Sequence, residues 1–524
     1  MALETSVSEP GIQQSLEQFL LVLSVSLSVA TLSRIFSWLR QIPYTLLLVI
    51  VGLFLAFVDV RLVNLSPELI LEIFLPPLVF EAAWNIRWQD LKRDLVPVTL
   101  FAVVGVIISV VGIAFPLSWL GGVPLTTALL VGASLSATDP VSVVALFREL
   151  GAGKRLTMLM EGESLFNDGV AVVAFILLVG IPLGTNEFAL DTTIARFLVF
   201  VGIGIGIGCL VGFGISYLTQ RFDLPLVEQS LTLVSAYGTY VLTENFGGSG
   251  VIGVVTVGVI LGNFGSRIGM NPRTRLLVSE FWEFLAFFVN SIVFLLIGDQ
   301  IHYSRLAQNF TLIAIAIGAV VVTRAIAVYG LSAFSNWVFK SEIGWREQTV
   351  LWWGGLRGSV SIALAVSVPV ILPGREEIID MVFGVVLFTL LVQGLTTKWF
   401  LNRLGLIGDQ PLRDQYSEAV ARRVAFKRVL TYLSEAGKEA EVDPEFLRYE
   451  LQLVQGELHS VEEEIEKLQN QYPQLRSFAM EQLREKLLDI EANTYAEFIR
   501  AGRLNNRLSP LLQETLVESI EDEI

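Results

Sequence analysis

The chain has 524 residues, of which 53% are hydrophobic and 17% charged, with a formal net charge of −15. Soluble domains carry about a quarter charged residues, and many apolar runs here are about 20 residues long, enough to cross roughly 30 Å of hydrocarbon as helix. That excludes a string of ordinary soluble domains and indicates an all-α polytopic membrane protein. One cysteine, Cys209, excludes an intrachain disulfide framework, and two histidines, both outside the apolar runs, argue against a histidine proton relay.

Thirteen candidate spans follow in chain order: 16–36, 43–58, 67–84, 96–119, 124–147, 157–181, 193–219, 227–246, 250–265, 281–298, 308–334, 346–371 and 379–402. Residues 1–15, expected as a short extracytoplasmic N-terminus, hold Glu4 and Glu9 and no basic residue, which is no signal-peptide n-region, so the first apolar segment is expected as a retained helix. With that end outside, the inside loops and the end of the last span collect about sixteen Lys and Arg, against four outside. This is the asymmetry expected of cytoplasmic loops, and a missing or extra helix would scramble it. The transmembrane part is thus expected over 16–403.

From residue 404 the character changes. The segment "SVEEEIEKLQNQYPQLRSFAMEQLREKLLDIEA" is charged, with apolar residues at helical spacing. From 405 on there are 24 acidic and 14 basic residues. Residues 404–524 are therefore expected as a soluble, acidic, helical cytoplasmic domain, open to a regulatory or dimerising role. Its acidity argues against nucleic acid or anionic lipid as its partner. The alternation "VGIGIGIGCLVGFG" (201–214) sits in an apolar span without a phosphate-loop lysine, so close helix packing is its expected role. No Walker motif, zinc spacing or haem-attachment motif occurs, no cofactor is expected, and any pumping must draw on a gradient.

A charge in the middle of a span costs roughly 3 kcal/mol or more, so the ionisable residues there carry the information. In the sixth span Ser164 and Asp168 are four apart and share a helix face, with Glu163 and Asn167 on the neighbouring one. A hydroxyl beside a carboxylate offers hard oxygens to a small alkali cation. Asp168 alone also suits a proton, which makes cation and proton competitors for one group. The fifth span contains "SATDPV", in which Pro140 breaks the helix and releases the carbonyl of Ser136 beside Thr138 and Asp139. The twelfth contains "WWGGLRGSVSIALA", with Arg357 among three glycines. Glu163 is the natural partner of Arg357, Asp139 a possible partner of Arg324 in the eleventh span, and Glu81 in "LPPLVFEAAW" a possible further cation ligand. A buried carboxylate can also simply pin helices together, a reading that weighs most for Glu163. Pairing span n with span n+7 reverses direction and matches broken helix five with broken helix twelve, as inverted-topology repeats around a midplane site require.

The segments "SATDPVSVVALFRELG" (136–151), "EGESLFNDGVAVV" (161–173), "FWEFLAFFVNSIVFLLIG" (281–298) and "WWGGLRGSVSIALA" (352–365), in this order, resemble the NhaP/NHE-type sodium/proton antiporters of the monovalent cation:proton antiporter superfamily. The resemblance covers residues 16–403. It implies that Asp168 alternately binds Na+ (or Li+) and H+, that Thr138, Asp139, Ser164 and Glu81 contribute to the same site, and that Glu163 pairs with Arg357 with support from Asn167. It further implies one-for-one electroneutral exchange, and a homodimer whose core domain moves against a dimerisation domain. A K+/H+ exchanger is the nearest alternative, since both ions take oxygen. A cation channel and a non-transporting sensor are the others.

Overall fold

A computed structural model describes residues 9–36, 42–58, 66–139, 141–184, 190–221, 224–406, 410–436, 444–473 and 475–480, together with isolated positions between and beyond these. The chain divides into two compact units, one formed by Met1–Arg148 and Ala152–Leu406, the other by Ile407–Ile524 with Glu149–Gly151. Among the described residues there is no strand.

The first unit begins with α1 (Glu9–Ile35) and α2 (Tyr44–Phe57), then a π-helical stretch Leu69–Phe74 running into α3 (Leu75–Asn85). Short α4 (Trp88–Arg93) precedes α5 (Leu95–Thr99), which joins α6 (Gly105–Gly121) through π-helical Leu100–Val104. The fifth apolar stretch is split into α7 (Leu125–Ser134) and α8 (Val141–Leu150). Then follow α9 (Lys154–Val179), α10 (Leu190–Thr219), α11 (Pro225–Asn245), α12 (Gly250–Ile260) with its π-helical continuation Leu261–Gly269, and α13 (Pro272–Asp299). After short α14 (Tyr303–Gln308) and long α15 (Phe310–Phe339), the twelfth stretch is again split, into α16 (Trp345–Trp353) and α17 (Ser359–Val366). The unit closes with α18 (Arg375–Phe388), π-helical Thr389–Gly394 and α19 (Leu395–Leu404). Seven of the described helices or helix runs are long and apolar enough to cross a membrane by length and composition. The interruptions fall where Gly and Pro were expected to break the spans, although Pro140 itself lies outside the described residues. Helix α1 starts at Glu9, inside the stretch expected as a short N-terminal tail, and residues 1–8 lie outside the described residues.

These helices sort into two bundles. One gathers α1 to α3 with α10 to α13; the other gathers α5 to α7, α9 and α15 to α19, and few contacts cross between them. Small residues set the spacing inside the first bundle. Gly52 of α2 and Gly298 of α13 each face the backbone of the other helix so closely that a Cβ would collide with it. The glycine alternation of α10 works in the same way. Gly204, Gly208 and Gly212, four apart, lie against Ile252, Thr256 and Ile260 of α12, whereas added Cβ atoms at Gly202, Gly206 and Gly214 would meet nothing. One helical face is therefore a packing seam and the other faces away.

In the second unit α20 (Gln410–Ala436) and α21 (Pro444–Gln471) pair. Residues 447, 451, 454, 458, 461, 465 and 468 recur at alternating spacings of four and three, the seam of a helix that packs lengthwise on another. Val461, Ile465 and Leu468 are buried against Tyr416 and Ala419, and Gln469 donates to the Tyr416 hydroxyl at 2.8 Å. The tail beyond residue 480 lies almost wholly outside the described residues.

Candidate functional site

The two interrupted helices cross inside the second bundle. At the crossing, residues 135–139 and 354–358 leave the helix, and their backbone groups need partners. The Asp139 N–H donates to the Leu356 carbonyl at 2.9 Å, so the two interruptions bond directly to each other. The Asp139 carboxylate accepts from the N–H of Val141, at 3.0 Å, and from that of Ser359. Val141 opens α8 and Ser359 opens α17. One carboxylate thus faces the positive ends of two half-helices, the placement that helix dipoles favour. Gly358 makes room for it, since a Cβ there would overlap the Asp139 side chain.

Arg357 treats the opposite polarity. Its Nη1 donates to the carbonyls of Ser136 and Ala137, at 3.3 and 3.2 Å, just past the C-terminal end of α7. Its own N–H donates to the Thr389 hydroxyl, 3.1 Å away, in the π-helical stretch after α18. The Ala137 carbonyl also accepts from the Ser361 hydroxyl at 3.4 Å. The carbonyl expected to be released by Pro140 as a cation ligand, that of Ser136, is therefore occupied by a guanidinium.

The arginine pairing differs from the expected one. Glu163 forms its ion pair with Arg324 in two prongs: Nη1 to Oε1, and Nη2 to Oε2 at 2.9 Å. Arg324 Nη2 also donates to the Leu351 carbonyl at 3.1 Å, which ties α9 and α15 to α16. Two parallel N–H···O bonds in a buried setting fit a guanidinium and a carboxylate that lie in one plane. Arg357 takes carbonyls instead of Glu163, and Asp139 takes backbone N–H groups instead of Arg324. Asn167 likewise supports a different partner. Its Oδ1 accepts from the Thr138 N–H at 3.2 Å and its Nδ2 donates to the Thr138 hydroxyl at 2.6 Å. Ser164 completes the clamp by donating to the Thr138 carbonyl. Thr138 is thus held at N–H, hydroxyl and carbonyl by two residues of α9, one turn apart.

Asp168 is what remains. It is one residue after Asn167, yet its Oδ1 is buried without a hydrogen-bond partner among the described residues. It lines a cavity of about 80 Å3 with Thr138, Asp139, Ser164 and Ser359. The far wall comes from the first bundle, through Leu78, Val79 and Ala82 of α3 and Asn290 of α13. Glu161, two turns back along α9, lines the same cavity and pairs with Arg148 at 2.8 Å. The structure does not bring Glu81 to Asp168. Its Oε1 accepts from Asn85 at 2.6 Å, and its charged neighbours are Arg148, Glu161 and Glu283. Sequence reasoning missed Asn290 and the close approach at Gly358. The first lies in a quoted motif, and the second is one of three glycines that look alike in sequence.

The family description "Sodium/hydrogen exchanger, transmembrane" matches residues 24–403. The chain belongs to the sodium/hydrogen exchanger family. Membership makes it an integral membrane transporter rather than an enzyme. It is 67% identical to the Na(+)/H(+) antiporter ApNhaP of Aphanothece halophytica, over 99% of this chain and 100% of that protein. It is 63% identical to the low-affinity Na(+)/H(+) antiporter NhaS1 of Synechocystis sp., over 97% of this chain and 98% of that one. The fold matches the sodium proton antiporter MjNhaP1 of Methanocaldococcus jannaschii with a TM-score of 0.62 and 20% identity, covering 76% of this chain and 100% of that one. This exchanger-family site therefore combines a tightly bonded frame of Thr138, Asp139, Arg357, Glu163 and Arg324 with one unengaged carboxylate.

Proposed function

We propose that this protein exchanges cytoplasmic Na+, and also Li+, for external H+, with both ions competing for Asp168. The observation that carries the reading is the contrast inside the site. Thr138, Asp139 and Asn167 are held by protein partners, while Asp168 presents an unbonded oxygen to a small cavity between two bundles. A buried carboxylate oxygen left unsatisfied beside bonded neighbours is where a ligand contributes most. The names of the high-identity relatives support Na+ over K+ as the cation.

In this mechanism Ser164 and Thr138 supply hydroxyl oxygens beside Asp168. Asp139 stands at the edge of the site, and its main work is to compensate the ends of α8 and α17. Glu163 with Arg324, Arg357 and Asn167 keeps the frame rigid, and Glu81 is a station on the ion path near Glu161. A Na+ or a proton neutralises Asp168, and only then does the bundle carrying it move against the other. The halves are read as inverted repeats that place the site at the midplane. Exchange is one-for-one and electroneutral. The protein is read as a homodimer in the plasma (inner) membrane, among lipid, with its N-terminus outside and its acidic tail in the cytoplasm. Its service to the cell is pH homeostasis and sodium tolerance.

The test is proton movement driven by Na+, Li+ or K+ in acid-loaded proteoliposomes, with the voltage clamped at zero by an ionophore that carries none of the tested ion. Wild type is expected to respond to Na+ and Li+, and Asp168→Asn to none. More Na+ should shift acid inhibition to lower pH. A response to K+ first would turn the reading to K+/H+ exchange, and unitary currents to a channel. Silence in folded wild type on every cation would remove the exchange reading.

A further inference from the structure

We propose that Asn290 is a specificity-determining residue, giving the bound cation an oxygen from the wall opposite Asp168 and so setting how well Na+ competes with the proton. The proposal rests on exchange at Asp168.

The two walls of the cavity are chemically unlike. On the Asp168 side stand carboxylates and hydroxyls. On the other, Leu75, Leu78, Val79 and Ala82 offer only hydrocarbon, and Asn290 alone among the lining residues of that bundle can bind an ion or water. Helix α13 is rich in aromatic and aliphatic residues around it, in the run "FLAFFVNSIVFLLIG". The two serines of this helix are engaged. Ser291 donates to the Phe287 carbonyl at 2.6 Å and accepts from the Tyr44 hydroxyl at 3.0 Å, and Ser279 accepts from the Trp84 indole at 3.0 Å. Asn290 follows a different course. One residue before Ser291, it is turned about 100° around the helix, into the cavity, and no described residue forms a hydrogen bond with its carboxamide. Asn290 is half-buried and opens onto the cavity, so its carboxamide is free to take a ligand there as its partner.

An amide oxygen is a hard, neutral donor. It stabilises a cation seated on Asp168, but adds little to a proton already covalently held by the Asp168 oxygen. Asn290 therefore favours the cation-loaded form selectively. Its removal should weaken Na+ against H+ without touching the carboxylate that carries either ion. The effect of one such contact is roughly three- to tenfold.

The experiment measures Na+ half-saturation, maximal rate and the acid limb of exchange for wild type, Asn290→Ala, Asn290→Ser and Asn290→Asp in proteoliposomes, with Asp168→Asn beside them. Asn290→Ala is expected to raise the Na+ half-saturation three- to tenfold, keep the maximal rate within about twofold, and move acid inhibition to higher pH. Asn290→Asp retains an oxygen and should hold the half-saturation at or below that of wild type. Asn290→Ser reads the same loss of reach should the alanine variant not fold. Half-saturation and acid limb both unchanged in Ala and Ser variants would overturn the proposal. So would an equal loss of maximal rate in the Ala and Asp variants, the sign of a packing role. An active wild type with a silent Asp168→Asn keeps the exchange reading intact in either case, and an inactive wild type removes both.

Discussion

Glu163 and Arg324, 161 residues apart in sequence, meet in a buried two-pronged ion pair that joins α9 to α15. Removing one member of such a pair leaves a buried charge uncompensated, at a cost of about 3–5 kcal/mol. Glu163→Gln and Arg324→Met should each lower the melting temperature of the detergent-solubilised protein steeply. The double variant Glu163→Met with Arg324→Met should recover most of the loss, because apolar replacement of a whole buried pair is often neutral. Equal instability of the double and single variants would contradict the pair as drawn.

Asp168→Asn should behave in the opposite way. Its Oδ1 has no hydrogen bond to lose, and an amide there removes a charge from an apolar setting. The melting temperature is expected to stay at or above that of wild type while exchange falls below detection. A marked drop in stability would mean that Asp168 holds the frame together.

Gly358→Ala tests the crossing itself. The added Cβ overlaps the Asp139 carboxylate, so the carboxylate must leave the N-termini of α8 and α17 or the backbone must shift. Overpacking of this kind costs about 1–3 kcal/mol. We expect a lower melting temperature together with a loss of exchange. By contrast, Gly206→Ala, where nothing lies within 4 Å, should leave both unchanged or slightly improved.

The tail offers a prediction with a pH sign. Ile465 is 5% exposed in the α20/α21 seam, and Ile465→Ala should cost about 2–4 kcal/mol there, read as faster amide exchange across both helices in the full chain. Lys427 lies 2.9 Å from Glu462 and holds its carboxyl below the ordinary carboxylate value. A carboxyl whose folded value is depressed contributes above the unfolded value and loses that contribution as pH falls through the folded one. Lys427→Ala should therefore slightly lower protection in α20 and α21 at neutral pH and leave it unchanged at low pH. The pair is exposed, so salt should shrink the difference.

Hydropathy made the long helices legible, because nothing but length and apolarity is needed to define them. The breaks were legible too, since Gly354, Gly355 and Gly358 weaken a helix wherever it packs. Asp168 stood out as a mid-span carboxylate without an assigned arginine. The pairing of the arginines did not. Arg324 and Arg357 are both mid-span guanidinium groups, and charge alone lets either face Glu163. The choice is made by the carbonyls of Ser136 and Ala137, which exist as acceptors only once the two interruptions have crossed. The π-helical stretches Leu100–Val104 and Thr389–Gly394 were illegible because their residues suit an α-helix equally well. Asn290 was hidden by its company, one polar residue beside Ser291 in an aromatic run.

The side chains at the crossing also keep a ledger of charge. Asp139, Glu163 and Asp168 are three anions, and Arg324 and Arg357 are two cations. With Asp168 bare the group carries one net negative charge, and with a proton or one monovalent ion it carries none. Shifting an uncompensated charge through a low-dielectric region costs several kcal/mol, which slows that movement by about a thousandfold or more. In the proposed mechanism, a carrier built this way is expected scarcely to return empty. On that mechanism, slippage, the silent loss of one gradient without work on the other, is suppressed by the arithmetic of five side chains.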